Sequence, residues 1–301
     1  MFRPPISLLA AAALAATVAV PSSARAQGHE GLPPSDSTAE ARINNSPRHA
    51  EWVKIPWGDG KSDSLMAYVV YPITAREHSP VVVIVHEIFG LSTWIRGVAD
   101  QVAAEGFIAI APDLNSRARG GPSTQELTRD SSVKIIRNVP TADKNAGVTA
   151  AAKYAMSLAS AEHQYAVIGF CWGGSTSWGY AINGGLPGFS GAVAFYGTPY
   201  LDAGRPIIDS LKKIQVPVRL YSGSLDPRIG AAMPAIDSAM HALGKDYFGH
   251  NYDGAIHGFM RAQDDPVLPQ RKPAQEHANL VAAEDAWPKT VAFLKQQLGI
   301  H

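Results

Sequence analysis

The chain has 301 residues, and its 26 Lys and Arg are balanced by 26 Asp and Glu, so the formal net charge is zero. No basic run stands out, and the bulk electrostatics give no support for nucleic-acid binding. A single cysteine excludes an intramolecular disulfide, and no stretch beyond the N-terminal one is long and apolar enough to span a bilayer.

Arg3 precedes an apolar run from Ile6 to Val20, followed by Pro21-Ser22-Ser23-Ala24-Arg25-Ala26. A charged start, a short apolar centre and an A-x-A site define a secretory leader over residues 1–26, cleaved after Ala26. The mature protein is therefore expected in the periplasm or outside the cell. Residues 27–50 are polar, with Gly, Ser, Pro and Asn and no periodicity, and are expected to form a tether with little structure of its own. Residues 51–301 remain, a usual size for one α/β domain.

From there strands and helices alternate, which predicts a mostly parallel central sheet with helices on both faces. Trp52–Ile55 and Leu65–Tyr71 read as strands around a Gly58-Asp59-Gly60 turn. Val81–Val85 is continuously apolar, as in a strand buried on both faces. A helix from Thr93 to Glu105 precedes a strand over Phe107–Ala111, which Pro112 is expected to end. Leu114–Gly121 reads as loop, and Ser123-Thr124-Gln125-Glu126 fits the capping box of a short helix. The Ala-rich stretch Asp143–Leu158 predicts a long helix leading to a strand at Tyr165–Ile168. Further strands are expected at Ala192–Tyr196, Val218–Tyr221 and Tyr247–Tyr252, with helices over Ala231–Leu243 and Ala282–Leu298.

The most informative segment is Gly169-Phe170-Cys171-Trp172-Gly173-Gly174, directly after the Tyr165–Ile168 strand. Small residues two before and two after a central side chain let a strand enter a helix through a tight, strained turn. This is the nucleophile elbow of α/β-hydrolases, with a thiol where serine is usual. The turn also sets Cys171 at a helix N-terminus, where the dipole favours a thiolate. An unpaired cysteine is often a buried small hydrophobe, but the glycine frame argues for a nucleophile.

In open α/β sheets the ligand site lies beyond the carboxyl ends of the strands. Asp226 follows the Val218–Tyr221 strand, and His257 follows the strand ending at Tyr252, flanked by Gly254 and Gly258. Taken alone, Asp226 is a turn former and His257 one of ten histidines. Together with Cys171 they stand in the chain order nucleophile, acid, histidine that this fold uses. His86-Glu87-Ile88-Phe89-Gly90 follows the Val81–Val85 strand; Gly90 stands where H-E-x-x-H needs its second histidine, so no zinc site is expected. The loop is where the fold places its second oxyanion donor, which assigns the hole to the backbone N–H groups of Ile88 and Trp172. Glu87 itself is either part of the site or a salt-bridged structural carboxylate.

These segments, with Ala111-Pro112-Asp113-Leu114, Tyr221 to Pro227 and His257-Gly258-Phe259, resemble the dienelactone hydrolase family over roughly residues 50 to 300. The resemblance implies a Cys171, Asp226 and His257 triad, and a Glu87 that interacts with the resting thiol and helps control thiolate formation. It also implies arginines that hold a substrate carboxylate. Arg261, four residues after His257, takes one such position, and Arg117, Arg119 and Arg137 are candidates for the second. The chain departs from the best-known members by its leader and by additional N-terminal strands. The expected function is cofactor-independent, metal-free hydrolysis, by a cysteine nucleophile, of a small ester or lactone that bears a carboxylate, set against two rivals, a broad exported carboxylesterase and a non-catalytic binder of small acids. A monomer is expected.

Overall fold

The structure, a computed structural model, describes residues 29–57, 64–74, 76–119, 128–263 and 273–300. The leader, the Gly58-Asp59-Gly60 turn and the Ser123–Glu126 capping box lie outside the described residues.

In chain order the elements are α1 (Ala39–Asn44), β1 (Ala50–Pro56), β2 (Ser64–Val70), β3 (Ser79–Val85), α2 (Thr93–Ala104), β4 (Ile108–Asp113), α3 (Ser116–Arg119), α4 (Arg129–Arg137), α5 (Thr141–Met156) and β5 (Ala161–Phe170). There follow α6 (Trp172–Ile182), β6 (Phe189–Phe195), β7 (Leu201–Asp202), β8 (Arg205–Pro206), α7 (Ile208–Leu211), β9 (Val218–Gly223), α8 (Ile229–Ala242), β10 (Tyr247–Tyr252), α9 (Phe259–Ala262) and α10 (Pro273–Gln297).

Eight strands form one sheet in the order β1-β2-β4-β3-β5-β6-β9-β10, parallel from β4 to β10 and antiparallel where β2 joins β1 and β4. The order crosses between β3 and β5, so the central strands are those with the longest apolar runs. Every residue of β3 is buried, and its side chains alternate between two cores. Val82 and Ile84 face the core that α2 and α10 cover, with Trp94, Val98, Ala286 and Trp287. Val81, Val83 and Val85 face the opposite core, with Val148, Ala151 and Ala155 of α5. This alternation is the period-2 geometry of a strand with helices above and below.

Three expectations are corrected. Pro112 does not end β4, because the strand pairs with β3 only through Ile110; beyond that point Pro112 faces Ala67 of β2 and no β3 partner needs its missing N–H. Within Leu114–Gly121, expected as loop, Ser116–Arg119 forms the short helix α3, with the Ser116 hydroxyl donating to Asp113 O at 2.6 Å. The third correction is the tether. From residue 29 the N-terminal segment is packed: Leu32, Ser35, Thr38 and Ala39 are buried, and α1 lies on α2. Trp94 Nε1 donates to Pro34 O at 2.8 Å, and Gln263 Nε2 to Pro33 O at 2.8 Å. Gly97 of α2 leaves the room Pro34 needs, since a Cβ there would sit 2.5 Å from its ring. Buried Asp100 receives Arg42 at 2.6 Å, Arg48 at 2.7 Å and the hydroxyl of Ser46. No helix among the described residues is long and apolar enough to cross a membrane.

Candidate active site

Five loops at the carboxyl ends of β3, β5, β6, β9 and β10 converge at one sheet edge. At the β5 end, Cys171 occupies the N-cap of α6 with φ 56° and ψ −115°, a left-handed conformation that side chains rarely adopt. The surrounding glycines supply space. A Cβ on Gly169 would meet Ser177 Oγ at 2.5 Å, and one on Gly173 would lie 2.6 Å from His86 O. The start of α6 therefore rests directly on the end of β3. The Trp172 N–H belongs to the first turn of a helix, where no intrahelical acceptor exists.

Asp226 is buried after β9; its Oδ1 accepts the N–H groups of Arg228 at 3.1 Å and Ile229 at 3.3 Å. Its Oδ2 bonds His257 Nδ1, and Cys171 lies close enough to the same imidazole to act on its charge. Burial works to raise the Asp226 pKa, but the His257 bond and the two amides hold it below the ordinary carboxylate range. Burial likewise works to lower the His257 pKa, but the bonds and charges of Asp226 and Cys171 outweigh it and push it up to about 9. The His257 loop is anchored twice: Ile256 N–H donates to Asn279 Oδ1 of α10 at 3.0 Å, and Leu225 N–H to Ala255 O at 2.9 Å. Gly254 and Gly258, both at positive φ, make the turns that aim the ring.

Glu87 is buried, and its Oε2 lies 3.2 Å from Arg261 Nε. Burial raises its pKa, against the opposing charge of Arg261. The structure thus gives the Glu87 carboxylate to Arg261 and the thiol to His257, rather than pairing Glu87 with the thiol. Arg261, on α9, is 14% exposed, not an ordinary surface arginine, and its guanidinium lies 5.4 Å from the Phe89 ring.

Arg117 does not join this cluster. It stands exposed on α3, pairs with Asp143 at 3.2 Å and lies 5.3 Å from the Trp57 ring, on the wall of a groove of about 700 Å³ with Leu114 and Val139. Arg137 is exposed at the end of α4, and Arg119 closes α3. Arg117 is thus tied to Asp143 of α5 rather than to the Glu87 and Arg261 pair.

Three site residues carry no clear signal in the sequence. Tyr196, at positive φ just past β6, is fully buried, packs on His257 at 5.0 Å, and among the described residues its hydroxyl has no hydrogen-bond partner. Burial, helped by the Glu87 charge, holds its pKa well above the ordinary value, so the hydroxyl stays a donor. Lys144 of α5 sits 4.8 Å from the Trp172 ring, in a pocket of about 350 Å³ with Thr176 and Tyr200; burial lowers its pKa. Asp36 reaches Arg261 from the N-terminal segment, at 3.3 Å. Among the described residues no His, Cys, Asp and Glu cluster could hold a metal ion.

A mostly parallel eight-stranded sheet with a strained turn at Cys171 after β5, an aspartate after β9 and a histidine after β10 defines an α/β-hydrolase. Within that class the chain belongs to the dienelactone hydrolase family, whose model matches residues 65–298, and so to hydrolases of lactone and ester bonds. It is 27% identical, over 89% of its length and 96% of the relative, to an Escherichia coli O157:H7 protein provisionally named carboxymethylenebutenolidase. It is 28% identical, over 82% of its length and 96% of the relative, to a Bradyrhizobium protein provisionally named 2-oxo-3-(5-oxofuran-2-ylidene)propanoate lactonase. A crystal structure from Klebsiella pneumoniae subsp. pneumoniae, provisionally described as a dienelactone hydrolase, superposes with a TM-score of 0.64 at 27% identity, covering 83% of this chain and 99% of that one.

Proposed function

We propose that this chain is an exported cysteine hydrolase that cleaves small esters or lactones through a Cys171, His257 and Asp226 triad. The observation that carries the reading is His257 bonded through Nδ1 to buried Asp226, with Cys171, on its strained turn, acting on the charge of the same imidazole. The thiolate of Cys171 attacks the carbonyl carbon, and the oxyanion forms against the Ile88 and Trp172 amides. His257, protonated by the thiol, gives that proton to the departing alkoxide, which leaves a thioester. The neutral imidazole then takes a proton from water as the hydroxide adds, and the acid product and thiol are released. Asp226 fixes the tautomer and orientation of the ring, and stabilises its charged form. For a lactone the alkoxide stays tethered, so hydrolysis must outrun re-closure.

Cys171→Ala is expected to lower kcat by about 10⁴-fold or more on 4-nitrophenyl acetate and on an unsaturated lactone, with the far-ultraviolet circular dichroism unchanged. Near-normal turnover by that variant would remove the assignment. Export is tested separately: N-terminal sequencing of the periplasmic or culture fraction should begin at Gln27, and a cytoplasmic protein retaining Arg3 would refute the leader.

A further inference from the structure

Arg261 holds two carboxylates at once. Glu87 meets its Nε from within the site, and Asp36 meets its Nη1 at 3.3 Å from the N-terminal segment. The main chain is joined there as well, since the Asp36 N–H donates to Arg261 O at 2.9 Å. The flanking bonds, Pro33 O to Gln263 and Pro34 O to Trp94, hold that segment against α9 and α2. The Phe89 ring lies against the guanidinium. The Nε and Nη1 groups of the fork are thus turned to protein carboxylates and a ring lies nearby, so a substrate carboxylate would compete with Glu87 and Asp36 for the guanidinium.

The charges point the same way. One guanidinium faces two carboxylates, Glu87 buried on the inner side and Asp36 at the exposed edge, and Tyr196, packed on His257, is buried nearby. A substrate carboxylate entering here would meet two carboxylates already set against the one guanidinium, and like charges disfavour its approach.

We propose that Asp36 is a specificity-determining residue, a carboxylate of the chain itself that takes up Arg261 and restricts the site to uncharged esters and lactones. The proposal rests on the reading that Cys171 turns over esters in this site. The competing role for Asp36 is purely structural, as one anchor of the N-terminal segment, and that role would not change which substrate charge is preferred.

The test compares the mature wild-type enzyme with Asp36→Asn and Asp36→Ser, both of which keep the backbone donor to Arg261. The substrates are 4-nitrophenyl hydrogen succinate and its methyl ester, which differ only in the distal carboxylate. Each variant should raise the kcat/KM ratio of the anionic to the neutral substrate by about tenfold or more, chiefly through KM. Asp36→Glu should keep the wild-type ratio, and adding Arg261→Gln to Asp36→Asn should abolish the gain. Ratios within about threefold of wild type in both variants would overturn the proposal. Calorimetric titration with benzoate gives a readout independent of turnover. If wild type hydrolyses neither ester, the hydrolase reading fails. The Asp36 proposal then stands only if Asp36→Asn binds benzoate about tenfold tighter than wild type, and falls if it does not.

Discussion

The imidazole of His86 ties together two loops that are 28 residues apart, its Nε2 accepting the Leu114 N–H at 3.1 Å while its Nδ1 donates to Glu87 O at 2.7 Å. Burial lowers the His86 pKa, which keeps the ring neutral and matches one donating and one accepting nitrogen. The ring also stacks on Trp172, with centroids 5.7 Å apart and planes 8° from parallel. His86 therefore positions both proposed oxyanion amides, those of Ile88 and Trp172, without facing a substrate. His86→Ala should cost about 2 kcal/mol of stability in urea melts, because the Leu114 N–H is left buried and unpaired. It should also lower kcat roughly 10–100-fold through misplacement, with a smaller effect on KM. An unchanged kcat in a destabilised variant would confine His86 to a structural role.

The elbow makes a prediction of a different kind. Gly169→Ala puts a methyl group onto the carbonyl of Gly173 and against Ser177 Oγ, and backbone cannot yield as a flexible side chain can. We expect a loss of about 3 kcal/mol in denaturant melts, or a failure to fold. A stable, active Gly169→Ala protein would mean that α6 can move away from β3.

How much of this site could be read from the sequence follows from how each part announces itself. Cys171 and Asp226 each follow an apolar strand, His257 follows the more polar β10, and each has glycine close by. Those glycines are physical requirements of the close approach at Gly173 and the positive φ at Gly258, so the placement was legible. Hydrophobic runs likewise revealed the sheet and its two-sided burial. The N-terminal segment was not legible, because it is held by carbonyls of Pro33 and Pro34 and by arginines on Asp100, none of which leaves a periodic apolar pattern. Tyr196 escaped notice because a left-handed tyrosine has no sequence signature. Arg117 is held instead by Asp143 and the Trp57 ring, tertiary partners that no local pattern in the sequence shows.

Protonation of His257 links the site to stability. Its pKa stands at about 9 in the folded protein, against an ordinary 6.5. A pKa raised by folding contributes stability that is fully present below pH 6.5 and is lost as pH rises through about 9. The contribution is at most on the order of 3 kcal/mol. The stability difference between wild type and His257→Gln should therefore be largest near pH 6 and shrink steadily to pH 9.5. A difference that grew with pH over that range would contradict the imidazolium held between Asp226 and Cys171.

Asp100 lies far in sequence from the site but holds the segment that reaches it. Its carboxylate is buried and receives Arg42, Arg48 and Ser46. Burial alone would raise its pKa, but the two arginine bonds hold it below the ordinary range. Asp100→Asn leaves two partly buried arginines without their counter-charge, and should cost about 3 kcal/mol in urea unfolding. Because α1 and residues 32–38 are then less firmly held on α2, Asp36 should spend less time on Arg261. The anionic-to-neutral substrate ratio should shift in the same direction as in Asp36→Asn, though by less, and the shift should vanish when Arg261→Gln is added. A destabilised Asp100→Asn enzyme with wild-type selectivity would show that the Asp36 contact is held locally, by the Pro33 and Pro34 carbonyls, independently of the arginines on α2.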